Sequence, residues 1–309
     1  MGNLNGKVAV ITGAGGGIGR EIALELAKQG IKLVINDYGV AVDGSEPKSI
    51  VAEKVAQEIN NLGGEAIANA HSIAEMKGAE NLINTAINKF GDLDILVCVA
   101  GILRERMIFN MSEEEWDSVI NVHLKGHFAP MHFATKHMRA KKKGRIITFT
   151  SAAGLEGSPG QPNYSAAKAG IVGLSMSTAL AMGKYNVTCN VISPNADTRM
   201  TSRLDGTPNA ALLQQKEDLH PRHIAPLVAY LSSDDAEHIT GQILEVKGRE
   251  ISLWSHHQKI RSCCMVNANW TVEKIHQMYD GLLGQDKLRR FESLGLKLPG
   301  SEKNSIITK

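Results

Sequence analysis

Short apolar, β-branched runs alternate with amphipathic stretches along most of the sequence, and this alternation constrains the fold more than any other feature. The apolar runs are typical of buried strands, and helical spacing of apolar residues fills the intervals between them. Strands that alternate with helices in this way form a parallel sheet covered on both faces. The predicted strands are Val8–Ile11, Leu33–Asn36, Ala66–Asn69, Asp94–Ala100, Arg145–Thr150, Val187–Ser193 and Gly241–Val246.

The fold class predicted from this pattern is α/β, with a doubly wound, parallel, seven-stranded sheet in one domain over residues 1–250. The chain has 309 residues, which is enough for one large α/β domain and few for two. The strand–helix alternation stops near residue 250. Residues 251–309 contain a helical pattern at Val272–Leu283 and a polar tail. We expect them to form a C-terminal helical extension packed on the same domain.

Charge and composition exclude several classes of partner. The net charge of +2 is too small to indicate binding to nucleic acid or to a membrane surface. The N-terminus lacks the layout of a signal peptide, and no apolar run approaches the length of a membrane span, so we expect a cytoplasmic protein. Cys263 and Cys264 are adjacent, but no further ligand has metal-site spacing, which favours a structural role and predicts no metal.

A glycine-rich turn follows the first predicted strand and precedes the first predicted helix. Its key residues are Gly13, Gly17, Ile18 and Gly19, in the spacing G-x-x-x-G-x-G. Glycines let the backbone approach a pyrophosphate closely, and a helix N-terminus attracts its negative charge. Such a run can also be an ordinary turn, but its position between strand and helix favours a dinucleotide site.

Asp37 lies at the end of the second predicted strand, eighteen residues after Gly19. A carboxylate there can accept hydrogen bonds from the adenosine ribose hydroxyls and would repel a 2′-phosphate. No Lys or Arg lies in the glycine turn or directly after Asp37. This favours NAD over NADP as the cofactor, although Asp is also a common residue at the start of a turn.

Ser151, Tyr164 and Lys168 are the predicted catalytic residues. Tyr164 and Lys168 are four residues apart and share one helix face, so the ammonium is expected to lower the pKa of the phenol. Ser151 ends the fifth predicted strand, at the carboxyl edge of the sheet where open α/β folds bind ligands. Its hydroxyl can stabilise charge on a carbonyl oxygen, while Tyr164 exchanges the proton.

These motifs together resemble those of the short-chain dehydrogenase/reductase family over about residues 5–250. The resemblance implies a Rossmann-type fold and hydride transfer between nicotinamide and a secondary alcohol or ketone. It is strongest to one branch, the (3R)-hydroxyacyl-CoA dehydrogenase modules of peroxisomal multifunctional enzyme type two and their stand-alone bacterial relatives. The stretches that carry the resemblance to the whole family are Ile11–Gly19, Ala100–Gly101, Gly144–Thr148, Gly160–Gly170 and Gly241–Gly248. Those that carry the resemblance to the branch are Asn36–Asp37 with the polar loop Gly39–Lys48, Gly101–Arg104, Val122–Gly126, Pro194–Ala196, Arg199–Met200, His220–Pro221 and Ile224–Val228.

The resemblance also implies further cofactor-binding residues and a partner. Tyr164 and Lys168 are expected to contact the cofactor as well as the substrate. The other positions carried over from the family are Ser72, Ile73, Ala100, Gly101, Pro194 and Thr198. Helices near 112–140 and 163–185 resemble the pair that forms dimer interfaces in the family, so we expect a homodimer or homotetramer. Internal packing explains their apolar stripes equally well.

The chain departs from the wider family at several positions. Cys98-Val99-Ala100-Gly101 replaces the usual Asn-Asn-Ala-Gly, and His71-Ser72-Ile73 replaces a segment that usually carries Asp. Asn195 stands where glycine usually follows Pro194. His123 stands at the fourth catalytic position, usually Asn, as it does in the closer branch. A proton relay through the His123 side chain is one hypothesis, and a packed helix residue is the other.

Three functions remain open from the sequence. The first is NAD-dependent interconversion of a (3R)-hydroxyacyl-CoA and a 3-ketoacyl-CoA, with Arg104, Arg106 and the basic cluster at 139–145 as candidates to meet CoA phosphates. Surface charge explains those basic residues equally well. The second is a dehydrogenase of a free cyclic, terpenoid or steroid alcohol. The third is a dinucleotide-binding subunit without catalysis, against which the intact Ser151, Tyr164 and Lys168 argue.

Overall fold

A computed structural model describes residues 4–45, 50–198, 217–265, 269–279, 283 and 290–295. Arg199 and Met200, which carry part of the family resemblance, lie outside these residues. The chain divides into two units, residues 1–254 and 255–309. The first unit contains an eight-stranded sheet. The second contains two short helices, and the first of them accounts for the start of the helical pattern predicted at Val272–Leu283.

The sheet is built from strands whose order reverses between β1 and β4. The order is β3-β2-β1-β4-β5-β6-β7-β8, and every pair but the last is parallel. This confirms the predicted α/β doubly wound fold. The strands are β1 (Val8–Thr12), β2 (Lys32–Asn36), β3 (Glu65–Asn69), β4 (Ile95–Cys98), β5 (Gly144–Phe149), β6 (Val187–Asn195), β7 (Ile243–Lys247) and β8 (Glu250–Trp254).

The eighth strand differs from the seven-stranded prediction. β8 turns back on β7 and pairs with it in antiparallel register, from Ile243 opposite Trp254 to Lys247 opposite Glu250. Only Gly248 and Arg249 connect the two strands, and Gly248 has a positive φ of 56°. A two-residue hairpin requires such a conformation, which glycine adopts without strain. The strand ends the sheet at an edge on which Ile251 and Leu253 are exposed.

Helices cover both faces of the sheet and enclose two hydrophobic cores. Alternate residues of each strand point to opposite faces. Ala9 and Ile11 of β1 therefore join the core formed with α1, α2 and α8, whereas Val8 and Val10 join the core formed with α3, α5 and α7. The helices are α1 (Gly17–Lys28), α2 (Ile50–Asn61), α3 (Met76–Phe90), α4 (Glu113–Ile120), α5 (Gly126–Lys141), α6 (Ala152–Glu156), α7 (Pro162–Met182), α8 (Ala225–Ser232), α9 (Val272–Met278) and α10 (Arg290–Ser293).

The helical stretch expected near 112–140 is interrupted. Ser112 caps α4, and reciprocal hydrogen bonds with Glu115 form a capping box. A π-helical turn, Asn121–Lys125, then joins α4 to α5. Such turns insert an extra residue into the helix and are frequent at functional sites. This turn carries His123.

The helix α7 with the turn after it, Pro162–Tyr185, is long and apolar enough to cross a membrane by length and composition. The expectation that no apolar run approaches that length therefore does not hold for this helix, since its many small residues raise the mean hydropathy. The helix buries Ile171 and Val172 in the domain. Core helices of soluble domains have the same composition, so this one helix is weak support for a membrane span.

Candidate active site

A cavity of about 350 Å³ opens beside the carboxyl ends of β1 and β4, where the strand order reverses. Ligands of open α/β sheets bind at this position. His123 lines the cavity, together with every residue predicted from the sequence to bind cofactor. Those residues are Gly13, Gly17, Ile18, Gly19, Asp37, Ser72, Ile73, Ala100, Gly101, Tyr164, Lys168, Pro194 and Thr198. Ser151 is not among the lining residues and lies beside Tyr164 instead.

The glycine turn leaves no room for a side chain at Gly13 or Gly19. Gly13 has φ of 68°, and a Cβ there would lie 2.6 Å from the Cα of Ala100. A Cβ on Gly19 would lie 2.2 Å from the carbonyl oxygen of Gly13. The backbone of the turn therefore forms one end of the cavity directly, with the N-terminus of α1 behind it. This arrangement suits a phosphate group, which backbone N–H groups and the helix dipole favour.

Asp37 joins the glycine turn to the loop after β2. Its Oδ2 accepts a hydrogen bond from the Gly15 N–H at 2.8 Å, and its Oδ1 accepts one from the Gly39 N–H at 2.7 Å. The second bond is the turn role that the sequence left open for this residue. The first bond holds the carboxylate against the glycine turn, on the cavity wall. Asp37 therefore contributes both to the turn and to the ligand site.

Asn36 and Asn69, which the sequence did not single out as functional, position His71. The buried Asn36 amide donates to the carbonyl oxygens of Asn69 and His71, at 3.2 and 3.0 Å. The Oδ1 of Asn69 accepts from the His71 N–H at 3.1 Å. These bonds tie the ends of β2 and β3 together and direct the chain through His71, Ser72 and Ile73 along the cavity. The signal available in the sequence was that two neighbouring strands, β2 and β3, both end in Asn.

Thr12 compensates for the missing carboxamides at Cys98 and Val99. Its hydroxyl oxygen accepts hydrogen bonds from the N–H groups of Val99 and Ala100, at 3.1 and 3.4 Å. The side chain of Cys98 is buried in the core instead. A side chain of β1 therefore holds the end of β4 in place.

Ser151 and Tyr164 are neighbours, and the Ser151 hydroxyl lies close enough to the phenol to lower its pKa. Ser151 is the N-cap of α6, where its hydroxyl oxygen accepts from the Ala153 N–H at 3.2 Å. Tyr164 lies in the first turn of α7. The two helices meet closely, since a Cβ on Gly154 would lie 2.6 Å from the Cβ of Lys168. The short helix α6 was missed in the sequence, and it is what orients Ser151.

Lys168 is fixed between α7 and the end of β5. Its Nζ donates to the carbonyl oxygen of Phe149 at 2.8 Å, and its own carbonyl accepts from the Thr150 hydroxyl at 2.8 Å. The ammonium lies 5.6 Å from the centre of the Tyr164 ring. The predicted triplet is therefore assembled at one place, at the carboxyl edge of the sheet.

The predicted lowering of the Tyr164 pKa by Lys168 is wrong for the cofactor-free protein. Burial raises the pKa of the phenol, and the hydrogen bond from Ser151 offsets only part of that rise. Burial also lowers the pKa of Lys168 to about 7, so its positive charge is only partly present at neutral pH. Loss of water around each group is the main cause of both shifts. Tyr164 is therefore a neutral phenol, ready to donate a proton.

His123 is buried against Tyr164. The two rings meet edge to face, with centroids 5.0 Å apart. The His123 Nε2 lies 2.7 Å from the carbonyl oxygen of Ile102 and 3.0 Å from its nitrogen. Gly101 provides the room for the ring, since a Cβ there would lie 2.2 Å from its Cε1. His123 is thus both a packed residue and a neighbour of the Tyr164 phenol.

Asn163 is a further residue that the sequence did not single out. Its fully buried amide donates to the carbonyl oxygens of Arg104 and Glu115, at 3.0 and 2.8 Å. Its Oδ1 accepts from the N–H of Tyr164 at 2.7 Å. One side chain therefore joins the loop after β4, the start of α4 and the turn that carries Tyr164.

The basic candidates for CoA phosphates lie in different places. Arg104 lines the cavity, with its Nε donating to the Asp43 carbonyl. Arg106 forms an ion pair with Glu115. The cluster at 139–145 lies at the amino end of β5, about 20 Å along the strand from Ser151. The cluster at 139–145 therefore lies away from the cavity. Of the basic candidates, Arg104 is the one on the cavity wall.

Comparison with known proteins agrees with this site. The sequence matches the short chain dehydrogenase family over residues 7–208. It is 39% identical to hydroxyacyl-CoA dehydrogenase ChsB1 of Mycobacterium tuberculosis, over 95% of this chain and 94% of that one. It is 41% identical to mouse peroxisomal multifunctional enzyme type 2, over 78% of this chain and 32% of that longer protein.

A solved structure shows the same fold. The crystal structure of a short chain dehydrogenase from Mycobacterium avium superposes with a TM-score of 0.80 at 42% identity, covering 93% of this chain and 97% of that one. Proteins of this kind are oxidoreductases that bind a nicotinamide dinucleotide. The chain belongs to the short-chain dehydrogenase family.

Proposed function

We propose that this protein is an NAD-dependent dehydrogenase that interconverts a (3R)-hydroxyacyl-CoA and a 3-ketoacyl-CoA. The observation that carries the dehydrogenase chemistry is the pairing of the Tyr164 phenol with Ser151, beside Lys168, in a cavity that begins at the glycine turn. These side chains act on the carbinol or carbonyl carbon and its oxygen, whatever the rest of the substrate is.

The residues present fit a dinucleotide. The glycine turn brings backbone to the cavity where a pyrophosphate would lie, and Asp37 on the cavity wall would accept hydrogen bonds from the adenosine ribose. Lys168, which also lines the cavity, would bind the nicotinamide ribose. The bound cofactor supplies the hydride acceptor for alcohol oxidation and the hydride donor for ketone reduction.

The chain's own residues move the proton. In reduction, the Tyr164 phenol donates its proton to the substrate oxygen, and in oxidation its phenolate removes the proton from the alcohol. Ser151 donates a hydrogen bond to the same oxygen and stabilises the charge that develops there. Because burial raises the pKa of Tyr164, the cofactor-free site favours the acid form that reduction needs.

Asp37 is the basis for NAD rather than NADP. Its carboxylate lines the cavity and already accepts two backbone N–H bonds, so it is held in place. A 2′-phosphate beside it would meet a fixed negative charge. We expect wild type to prefer NAD and Asp37→Ser to narrow that preference, measured as the ratio of kcat/KM for the two cofactors. A wild-type preference for NADP would contradict this assignment.

The CoA thioester is supported by similarity along nearly the whole chain to a hydroxyacyl-CoA dehydrogenase. The cavity wall beyond Tyr164 carries Val40, Ile102 and Val122, which suit an acyl chain, and Arg104, which suits a phosphate. A free cyclic, terpenoid or steroid alcohol would use the apolar wall and leave Arg104 without a role in binding.

The test is a screen of NAD reduction. The substrates are (3R)-hydroxyacyl-CoAs of several chain lengths, the matching (3S) compounds, and free cyclic alcohols. We expect the (3R) thioesters to react much faster than the rest, and the rate to collapse in Tyr164→Phe. Faster turnover of the free alcohols would identify the second function, and no NAD-linked rate on any compound would indicate a non-catalytic subunit.

We also expect the protein to act in the cytoplasm as a homodimer or homotetramer. Phe128 on α5 and Leu180 on α7 are 43% and 86% exposed, on the two helices that the sequence assigns to the interface. Apolar side chains on an exposed helix face are typical of contacts between copies. Light scattering of wild type and of Leu180→Glu would test this, with a monomeric wild type as the contrary result.

A further inference from the structure

A short segment after β2 reaches from the glycine turn to the loop after β4. This segment, Gly39–Ser45, is called the strap below. Its base is held at the glycine turn, since Asp37 accepts hydrogen bonds from the N–H groups of Gly15 and Gly39. The chemistry described above gives the strap no part, yet three of its residues line the cavity: Val40, Asp43 and Gly44.

The strand order makes the strap bridge the crevice of the sheet. β1 lies between β2 and β4, so the carboxyl ends of β2 and β4 are about 10 Å apart, which is two strand spacings. The glycine turn lies between them, directly after β1. A contact between the segments after β2 and after β4 therefore crosses the place where the strand order reverses and where open α/β sheets bind their ligands.

The tip of the strap is bonded to the loop after β4. The Leu103 N–H donates to the Val42 carbonyl oxygen at 2.8 Å, and the Arg104 Nε donates to the Asp43 carbonyl oxygen at 2.6 Å. The second bond has a charged donor and is therefore the stronger of these two. The terminal N–H groups of the guanidinium are separate donors, so this bond is compatible with the phosphate contact proposed above.

Apolar contacts connect the strap to the surroundings of the phenol. Val40 packs, together with Tyr164, against the buried cluster of Ile102, Val119 and Ala167. The strap is thus held at the glycine turn, at the loop after β4 and beside the catalytic end of the cavity. A dinucleotide that extends from the glycine turn towards Tyr164 would lie under it.

The tip of the strap is a turn with bonds of its own. The Ala41 N–H donates to the Ser45 carbonyl oxygen at 2.8 Å, and the Asp43 Oδ1 accepts from the N–H and the hydroxyl of Ser45, at 3.0 and 2.7 Å. Ala41, Asp43 and Ser45 are exposed. A segment with internal bonds and little buried surface can move away as one body when its outer contacts break. Gly39 at its base, with a φ of 74°, gives the backbone the freedom to do so.

Resting on the proposed function, in which a nicotinamide dinucleotide occupies this cavity, we propose that the strap is a gate over the dinucleotide and that Arg104 is the positioning residue that holds it shut. The cofactor enters and leaves when the strap moves away, which requires the bond from Arg104 to the Asp43 carbonyl to break. This bond is present in the cofactor-free protein, so it opposes entry as well as exit. Arg104 therefore sets the rates of cofactor exchange and not the affinity. Because the cofactor is exchanged in every turnover, the gate also limits kcat.

The first test follows NADH binding to Arg104→Met by stopped-flow fluorescence, without substrate. We expect the association and dissociation rates both to rise about tenfold, in the range that one hydrogen bond from a charged donor contributes. The Kd should stay within about twofold of wild type, since a contact that is equal in the free and the bound protein does not change affinity.

Arg106→Met is the matched control. It removes the same charge from the same loop, but its guanidinium pairs with Glu115 and not with the strap. Its NADH association and dissociation rates should match those of wild type. The comparison therefore separates the bond to the strap from the general attraction of a cationic loop for an anionic ligand.

Three results would overturn the proposal. Faster dissociation with unchanged or slower association would make Arg104 a direct contact of the cofactor and not a gate residue. Wild-type rates in Arg104→Met would make the strap a fixed wall of the cavity. Equal acceleration in the Arg104 and Arg106 variants would assign the effect to the loop after β4 as a whole.

Hydrogen exchange of the free protein, followed by NMR, needs no cofactor. The Leu103 amide reports on the strap, because it donates to the Val42 carbonyl. We expect it to exchange about tenfold faster in Arg104→Met than in wild type and in Arg106→Met, with the amides of β4 unchanged. Equal exchange at Leu103 in all three proteins would refute the role of Arg104. If wild type binds neither NADH nor NADPH, the proposed function fails, and the exchange rates still decide whether Arg104 holds the strap.

Discussion

The amino and carboxyl ends of the parallel strands differ in how their charged and polar groups are paired. At the amino edge, Asp234 receives Lys7 at 2.9 Å, Lys143 at 3.1 Å and the buried Arg145 at 3.4 Å. Lys141 likewise lies within 2.7 Å of both Asp92 and Asp94. Each of these charged groups has a partner of opposite charge, and the ion pairs hold the starts of β1, β4 and β5 in place.

At the carboxyl edge, polar groups are buried with few partners. Lys168 has no carboxylate beside it among the described residues, and its Nζ donates to the backbone carbonyl of Phe149. His123 and His127 keep unpaired nitrogens. The difference indicates that one edge serves stability, whereas the other retains unfavourable burial that chemistry requires. Substitutions at the two edges should therefore have opposite effects on stability and activity.

The largest expected effect is that of Tyr164→Phe at the carboxyl edge. It removes the proton donor while the ring keeps its contact with His123, so kcat should fall by at least about 10³-fold, equivalent to about 4 kcal/mol. The melting temperature should stay equal or rise, since a buried hydroxyl is removed. Rates of NAD reduction and thermal unfolding measure both. Retained cofactor affinity is the control, and a variant with near wild-type kcat would remove Tyr164 from the mechanism.

Arg145→Met should have the next largest effect, at the amino edge and on stability. The buried guanidinium donates to the carbonyl oxygens of Ser233, Gly144 and Asn186, at 3.2, 3.0 and 3.4 Å. Removing it leaves buried carbonyls without donors, which costs about 3 kcal/mol of the free energy of unfolding.

Denaturant unfolding measures this cost, and kcat per folded molecule should not change. Lys143→Met is the matched control, because its side chain is 42% exposed and should contribute less than about 1 kcal/mol. Equal losses of stability in the two variants would show that burial does not increase the contribution of Arg145.

Lys168→Met should raise the free energy of unfolding, whereas Arg145→Met lowers it. Lowering the pKa of Lys168 from 10.5 to about 7 costs the folded state about 4–5 kcal/mol when the lysine is charged in the unfolded chain. That cost is complete below pH 7 and disappears as the pH rises towards 10.5. The lost bond to Phe149 offsets part of the gain, which leaves about 2 kcal/mol of net stabilisation at neutral pH.

Activity should be lost in the same variant, and its stability advantage should shrink in unfolding experiments at higher pH. A Lys168→Met protein that is less stable than wild type at neutral pH would show that the ammonium is well solvated or paired, contrary to the contrast between the two edges.

How far the sequence predicts this molecule depends on whether the determinant is local. The glycine turn, Asp37 and the Ser151, Tyr164 and Lys168 triplet are short patterns whose place on a strand or helix follows from spacing, and the structure assembles them at one edge. The hairpin at Gly248 was not predicted, because only the two residues between β7 and β8 determine it.

Other features depend on burial, which spacing does not reveal. The predicted direction of the Tyr164 pKa shift was wrong because the phenol and the ammonium both lose their surrounding water on folding. His127 resembles any core residue in the sequence, and only the folded chain shows that its nitrogens are unpaired. The π-helical turn interrupts a segment whose apolar pattern predicts one continuous helix.

The smallest predicted effect, that of Asn163→Ala, tests how the carboxyl edge is held in place. Asn163 touches no catalytic atom, but its amide joins the carbonyls of Arg104 and Glu115 and its Oδ1 bonds the Tyr164 N–H. Without it, the turn that carries Tyr164 loses its link to the loop after β4. We expect kcat to fall about tenfold, or about 1.4 kcal/mol, because a displaced catalytic group loses alignment with its substrate. Asn163→Asp is the matched variant: it keeps the acceptor for Tyr164, but it loses the donor and turns a carboxyl oxygen towards the carbonyls of Arg104 and Glu115. It should retain more activity than Ala only if the bond to Tyr164 outweighs both losses. If Ala retains wild-type kcat, Tyr164 is held by Ser151 and α7 alone, and the loop after β4 does not contribute to catalysis.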